Sequence, residues 1–190
     1  MSDDLSPKGR VLFGQRLVEF LHTWGVMEVA IDQAIASVYR YHDGERVARH
    51  TPVTIEKKLV FLKDAAGLLP AVAPMASVVE DLVALVMAEK DLRNTLVHGS
   101  PLKVERNGTA HILRLRPKKH EPDYELRKVG AKDWERLEKT CWEVIALASM
   151  LVFGFRLDEV NCNDVQNLSR DSFIHGAETF PREQEHPQSP

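Results

Sequence analysis

Several things are scarce in this chain of 190 residues, and each scarcity removes a class of function. The two cysteines, Cys141 and Cys162, form no close-spaced pair. Cys141 falls on a helical apolar stripe, so a buried thiol is expected rather than a disulfide or a metal ligand. No apolar run approaches the length needed to cross a bilayer. The acidic start, Met1-Ser2-Asp3-Asp4, lacks a signal-peptide core, so a cytoplasmic protein without membrane association is expected. There is no internal repeat, phosphate-binding glycine loop, paired-cysteine zinc pattern or nucleophile elbow to support kinase, zinc or serine-hydrolase chemistry. No cofactor or metal is expected.

What is present suffices for one core. With 44% hydrophobic residues, a single domain with tails is the natural expectation. The expected division is a flexible start at 1–9, a helical domain at 10–157 and a polar, largely disordered tail at 158–190. His175 and His186 fall in that tail and are expected to be inert.

Periodicity indicates a mainly α fold, like a four-helix bundle, with a small antiparallel insert before the last long helix. Leu17, Leu21, Trp24, Ile31, Ile35 and Val38 place a first helix from about Arg10 to Tyr41, with a bend allowed at Gly25. His22 reads as an ordinary histidine of that helix. His42-Asp43 reads as its terminus, because the other ligands of a metal-binding histidine–aspartate site are not in recognisable positions. Thr51-Pro52 or Thr54 can cap a second helix bearing Ile55, Leu59, Phe61 and Leu62, which should stop near Gly67. Ser77 and Glu80 have capping-box spacing, so a third helix should start between Met75 and Ser77 and end at His98. Beyond it, alternation replaces helical spacing: Leu102 and Val104, an Asn107-Gly108 type I′ turn, a return strand from Ala110 to Leu115, and a third strand from Tyr124 to Val129 complete an insert over about 102–129. Trp134, Leu137, Cys141, Val144, Ala148, Leu151 and Phe155 then line one side of a last helix from about Ala131.

The third helix carries the one stretch that proposes chemistry. Val78, Leu82, Leu85, Leu92 and Leu96 make one apolar stripe, with Val79, Val83, Val86 and Val97 beside it, so the helix should be mostly buried. Its remaining face runs Ala84, Met87, Asp91, Asn94, His98 and ends as a polar notch. Arg93 is too oblique to meet His98 through rigid side chains, yet long enough to curl toward the notch. A neutral imidazole can take a proton from a hydroxyl, an imidazolium can return one to a leaving oxygen, and a guanidinium can hold charge building on a phosphate. These meet the needs of RNA cleavage by 2′-hydroxyl attack. One chain offers one such histidine, so the site requires two copies about a two-fold axis. There is a plain structural reading beside this: Val-His-Gly-Ser-Pro is a helix stop with Gly99 placed for a left-handed cap, and Glu89 precedes Arg93 by four residues as in an ordinary ion pair. Glu89 could equally orient the guanidinium toward a phosphate.

The run Arg93-Asn94-Thr95-Leu96-Val97-His98 resembles the signature of the HEPN superfamily: an arginine, often a polar residue next, and a histidine after a gap of four to six residues. The residue-by-residue match covers these six positions, and the architectural likeness covers about 10–157. The resemblance implies a helical bundle dimerising through the motif helix. Many members are metal-independent endoribonucleases in toxin, defence or RNA-processing systems; others bind ligands or act as adaptors. On that basis Arg93 and His98 are the expected catalytic pair, with Asn94, Asp91 and Glu89 in support. The expected partners are a second copy, RNA, and an antitoxin or other protein.

The formal charge of -3 argues against indiscriminate nucleic-acid binding, but residues 101–130 hold eight basic against four acidic side chains. Lys103, Arg106, Arg114, Arg116, Lys118 and Lys119 are the expected RNA-binding residues, joined on the sheet by Arg127 and Lys128. The competing reading is a solvated hairpin whose charges keep its edges soluble.

Overall fold

The longest periodic stretch of the chain folds as one continuous helix, α1 (Pro7–Tyr41). In this computed structural model, residues 7–116 and 123–156 are described. α2 (Ile55–Leu68), α3 (Ala76–His98) and α4 (Ala131–Arg156) complete a ring of four helices, while β1 (Ser100–Val104), β2 (Ala110–Arg116) and β3 (Asp123–Val129) fill the stretch between α3 and α4. α4 packs against α1 and α3, and α2 against α1 and α3. Among the described residues, no helix is long and apolar enough to cross a membrane. The tail at 158–190, with Cys162, His175 and His186, lies outside the described residues, as do Lys118 and Lys119.

The core follows the apolar periodicity most faithfully in α4, where Trp134, Leu137, Cys141, Val144, Ala148, Leu151 and Phe155 are all buried. α1 rotates slightly from the expected face. Phe13, Phe20, Trp24, Met27, Ile31, Ile35 and Val38 point inward, whereas Leu21 is exposed, because the large aromatic rings take the side facing α4. α3 is buried on one side only: Val79, Leu82, Val86, Leu92 and Leu96 are inside, and Val97 is exposed. The expectation of a mostly buried helix is corrected, since α2 and α4 cover one side of it and the sheet touches its last turns.

Several helix ends differ from expectation for local reasons. α1 starts at Pro7, within the stretch expected to be flexible; proline suits a first helical turn because its missing N–H would have no helical partner. Gly25 causes no break in α1. Thr54 is the cap of α2, its hydroxyl accepting from Lys57 N at 3.4 Å. The Ser77–Glu80 capping box does not form: a single 3-10 turn, Ala73–Met75, runs straight into α3 and makes Met75 the N-cap. At α4 the Asp133 carboxylate accepts from Gly130 N at 3.0 Å, satisfying an end donor of the helix. His42 ties the end of α1 to the end of α4, its Nε2 lying 2.6 Å from the Phe155 carbonyl oxygen.

Two glycines serve different needs from those expected. Gly99 is extended (φ -86°, ψ 160°) rather than left-handed. A side chain there would collide with Ile112 Cγ2 and the Thr95 carbonyl, so glycine is required by the close approach of β2 to the end of α3. In the hairpin, Gly108 has φ +81°, but Asn107 is not left-handed, so the turn is not type I′. Gly108 N bonds the Glu105 carbonyl and Glu105 N bonds the Thr109 carbonyl, giving a three-residue loop closed by a left-handed glycine.

The sheet has order β1-β2-β3, all antiparallel. Its inner face grades from apolar to charged along the strands. Ala110 and Val129 are buried, Ile112 faces Arg127, Arg114 faces Glu125, and Arg116 faces Asp123. The outer face pairs Leu113 with Leu126 and Leu115 with Tyr124; Leu115, Tyr124 and Leu126 are exposed. The arginine end of the inner face thus lies over the outward side of α3.

Candidate functional site

α3 presents its motif side chains in two directions, and the azimuths follow from helix geometry. At about 100° per residue, His98 falls between Asp91 and Asn94 in azimuth, one to two turns farther along, while Arg93 points well away from it. Asp91 and His98 are exposed; Asn94 and Arg93 are half-buried. The notch face expected from sequence therefore exists and opens outward, with Ala84 and Met87 exposed on it as well.

Arg93 is held by α1. Its guanidinium stands 5.8 Å from the centre of the Trp24 ring, and its Nη1 donates to Asn94 Oδ1 at 3.1 Å. Trp24 in turn donates from Nε1 to Glu28 at 2.8 Å. Arg93 and Asn94 line a recess of about 260 Å³ together with Trp24, Glu28, Glu56 and Lys90. Its charges balance, two cations against two carboxylates. Lys90 Nζ lies 2.8 Å from Glu56, and hydrogen bonding from Lys90 is the main reason the Glu56 carboxyl is held below its ordinary range. His98 is not among the residues lining this recess, and it has no hydrogen-bond or ion-pair partner among the described residues. Within the single chain the structure brings Arg93 and Asn94 together and leaves His98 apart.

Glu89 does not pair with Arg93. It is buried, facing α4, where Arg136 Nε lies 2.8 Å from its Oε1. The expected helical ion pair does not form although the two residues lie only about 40° apart in azimuth, because Arg136 of α4 takes Glu89 and Trp24 of α1 takes Arg93. Its other oxygen, Oε2, is buried without a hydrogen-bond partner among the described residues. Nearby, burial and then the negative charges of Glu89 and Glu138 push the Cys141 thiol up to about 12. That thiol is free and buried, as its sequence position implied.

Asp91 is the centre of a cluster that sequence reasoning assigned in pieces. Arg114 Nη1 donates to Asp91 Oδ1 at 2.9 Å, Arg116 Nη2 to Oδ2 at 2.8 Å, and Arg127 Nη1 to Oδ2 at 3.3 Å. Arg114 also approaches the Asp91 carbonyl at 3.3 Å and Thr95 Oγ1 at 3.5 Å. Arg116 Nε lies 2.6 Å from Glu125 Oε2. Two expected RNA-binding residues, Arg114 and Arg116, are thus gathered with Arg127 by a residue expected to support catalysis. The period-2 alternation of β2 and β3 could have located the arginines on one face; their convergence on Asp91 could not be read without the packing of sheet on helix. Lys103 and Arg106 are exposed elsewhere on the insert and do not join this cluster. His111 bonds Glu105 at 2.9 Å on the outer face, and that bond is the main cause of a lowered Glu105 pKa.

A larger recess of about 400 Å³ lies between α1 and α4, beside Arg16, Phe20, His22, Trp134 and Glu138. It includes none of the motif residues of α3. Comparison of the chain with family models, with curated proteins and with solved structures gave no match.

Proposed function

We propose that this protein is a metal-independent endoribonuclease that acts as a homodimer, with α3 at the two-fold interface and Arg93 and His98 of both protomers forming one site. The observation that carries the reading is the position of His98: an exposed imidazole at the end of a helix whose outward face also holds Asn94 and an arginine cluster. In the proposed reaction one His98 takes the proton of a ribose 2′-hydroxyl, and the 2′-oxygen bonds to phosphorus. The bond from phosphorus to the 5′-oxygen then breaks, and the second His98 protonates that oxygen. Arginine side chains offset the charge on the phosphoryl oxygens. The six-residue likeness to the HEPN signature supports the same assignment.

The test is an RNA-cleavage assay in chelator with wild type, His98→Ala and Arg93→Ala, each checked for melting temperature and dimer mass. Cleavage by wild type alone, leaving 2′,3′-cyclic phosphate and 5′-hydroxyl ends, is expected. If purified His98→Ala cuts as fast as wild type, His98 has no place in the mechanism.

A second reading has its own support. Arg93 is stacked on Trp24 and bonded to Asn94, which suits a non-catalytic dimerisation or adaptor module in which these residues order an interface. On that reading wild type shows no RNA turnover, and Asn94→Ala and Arg93→Ala weaken the dimer.

A further inference from the structure

Three guanidiniums around one carboxylate is an unequal arrangement. Arg114, Arg116 and Arg127 converge on the single Asp91 carboxylate, with Glu125 beside Arg116 and Asp123 opposite it in the strand register. A guanidinium has five N–H donors, and the bonds described above use a minority of those on offer. The central acceptor is also accessible: the Asp91 side chain is 51% exposed. The pairs open to solvent at the Asp91 end, where another anion can reach the guanidiniums and take the place of the carboxylate.

We infer that the Arg114–Arg116–Arg127 cluster is a phosphodiester-binding subsite for single-stranded RNA, and that Asp91 is its built-in competitor, occupying the guanidiniums until an RNA phosphate takes its place. The inference rests on the RNA-acting reading above, but on binding and not on cleavage. The geometry suits the role. Arg114 also approaches Thr95 Oγ1 and the Asp91 carbonyl, so it retains its position when the Asp91 carboxylate is displaced. The cluster lies about 10 Å along α3 from His98 on nearly the same azimuth, so a strand held there continues toward the imidazole.

The experiment measures binding of a labelled single-stranded oligoribonucleotide by anisotropy over a range of salt, in chelator, with all proteins carrying His98→Ala so that no RNA is consumed. Asp91→Asn should bind at least about threefold more tightly than its Asp91 parent, with a log–log salt slope steeper by roughly 0.7, the value for one more phosphate contact on a single strand. Arg114→Gln and Arg116→Gln should each bind more weakly with a shallower slope. Glu125→Gln, which removes a second carboxylate beside Arg116 without touching α3, should also tighten binding. Equal or weaker binding by folded Asp91→Asn overturns the inference. Displacement of the RNA by millimolar inorganic phosphate would also overturn it, because a chain of phosphates outcompetes a free one at a site built for a strand. If RNA is never cut by wild type yet these binding changes appear, the subsite stands and the nuclease reading falls. If RNA is cut but Asp91→Asn gains nothing, the reverse holds.

Discussion

The Arg93 guanidinium lies over the face of Trp24, joining the motif helix α3 to the middle of α1 at a ring-to-cation distance of 5.8 Å. Trp24 is buried and fixed by its bond to Glu28, so the platform is rigid and the arginine is pre-positioned. A planar guanidinium can stack in this way, and a compact ammonium does so less well. A double-mutant cycle between Arg93→Ala and Trp24→Leu, read by urea unfolding, should give a coupling of about 0.5–1 kcal/mol. Arg93→Lys should recover less than half of it. A coupling of zero would mean the stack is incidental.

Glu89 and Arg136 should respond unequally to mutation. Glu89 is buried and Arg136 is half in solvent. Removing the arginine strands a buried carboxylate, so Arg136→Ala should destabilise by about 3 kcal/mol. Glu89→Gln leaves an amide where one oxygen already lacked a partner, and the arginine can turn to water, so its cost should be well under half as large. Comparable losses in urea denaturation would contradict this ordering.

The Cys141 thiol should be inert in the native protein. Its pKa is pushed up to about 12 from an ordinary 9.0 by burial, then by Glu89 and Glu138. Alkylation followed by peptide mass mapping should find Cys141 unmodified at pH 8 and modified once urea unfolds the chain. Because the folded state holds this proton to higher pH than the unfolded state, the associated stability is complete below pH 9.0 and declines as pH rises toward about 12. Cys141→Ala should flatten that alkaline decline; an unchanged profile would assign the decline to other groups.

Glycines at two kinds of site should respond with opposite sign. Gly25 and Gly67 lie in helices with open space where a side chain would go, so alanine there should stabilise by about 0.5–1 kcal/mol. Gly99→Ala, which drives a methyl group into Ile112 and the Thr95 carbonyl, should destabilise by about 1–3 kcal/mol. The contrast is measurable by thermal or urea unfolding. Stabilisation by Gly99→Ala would show that β2 does not press on the end of α3 in solution.

Much of the architecture was legible in local patterns. The core stripe of α4 is buried throughout, α3 ends at His98 as its stop signal indicated, and all three strands appear near their expected positions. These features depend on side-chain period and on end residues, which act over a few positions. Errors arose where an equally good local signal met a tertiary neighbour. Gly99 looked like a left-handed cap but is needed for strand clearance, Ser77–Glu80 was bypassed by a 3-10 turn, and Val97 stayed outside because none of the described elements covers it.

The candidate site divides in the same way. Sequence alone determined that Asp91, Asn94 and His98 share one face of α3, because a helix repeats every 3.6 residues whatever packs against it. It also determined that Arg114 and Arg116 share one face of a strand, because strands repeat every two. Only the tertiary structure decided which partner each charge has: Arg93 with Trp24, Glu89 with Arg136, and Asp91 with three arginines from a sheet that begins nine residues later in the chain. Pairing of long charged side chains depends on which faces are brought within a few ångströms, and that follows from how the sheet lies on the helices, a property no short stretch of the chain contains.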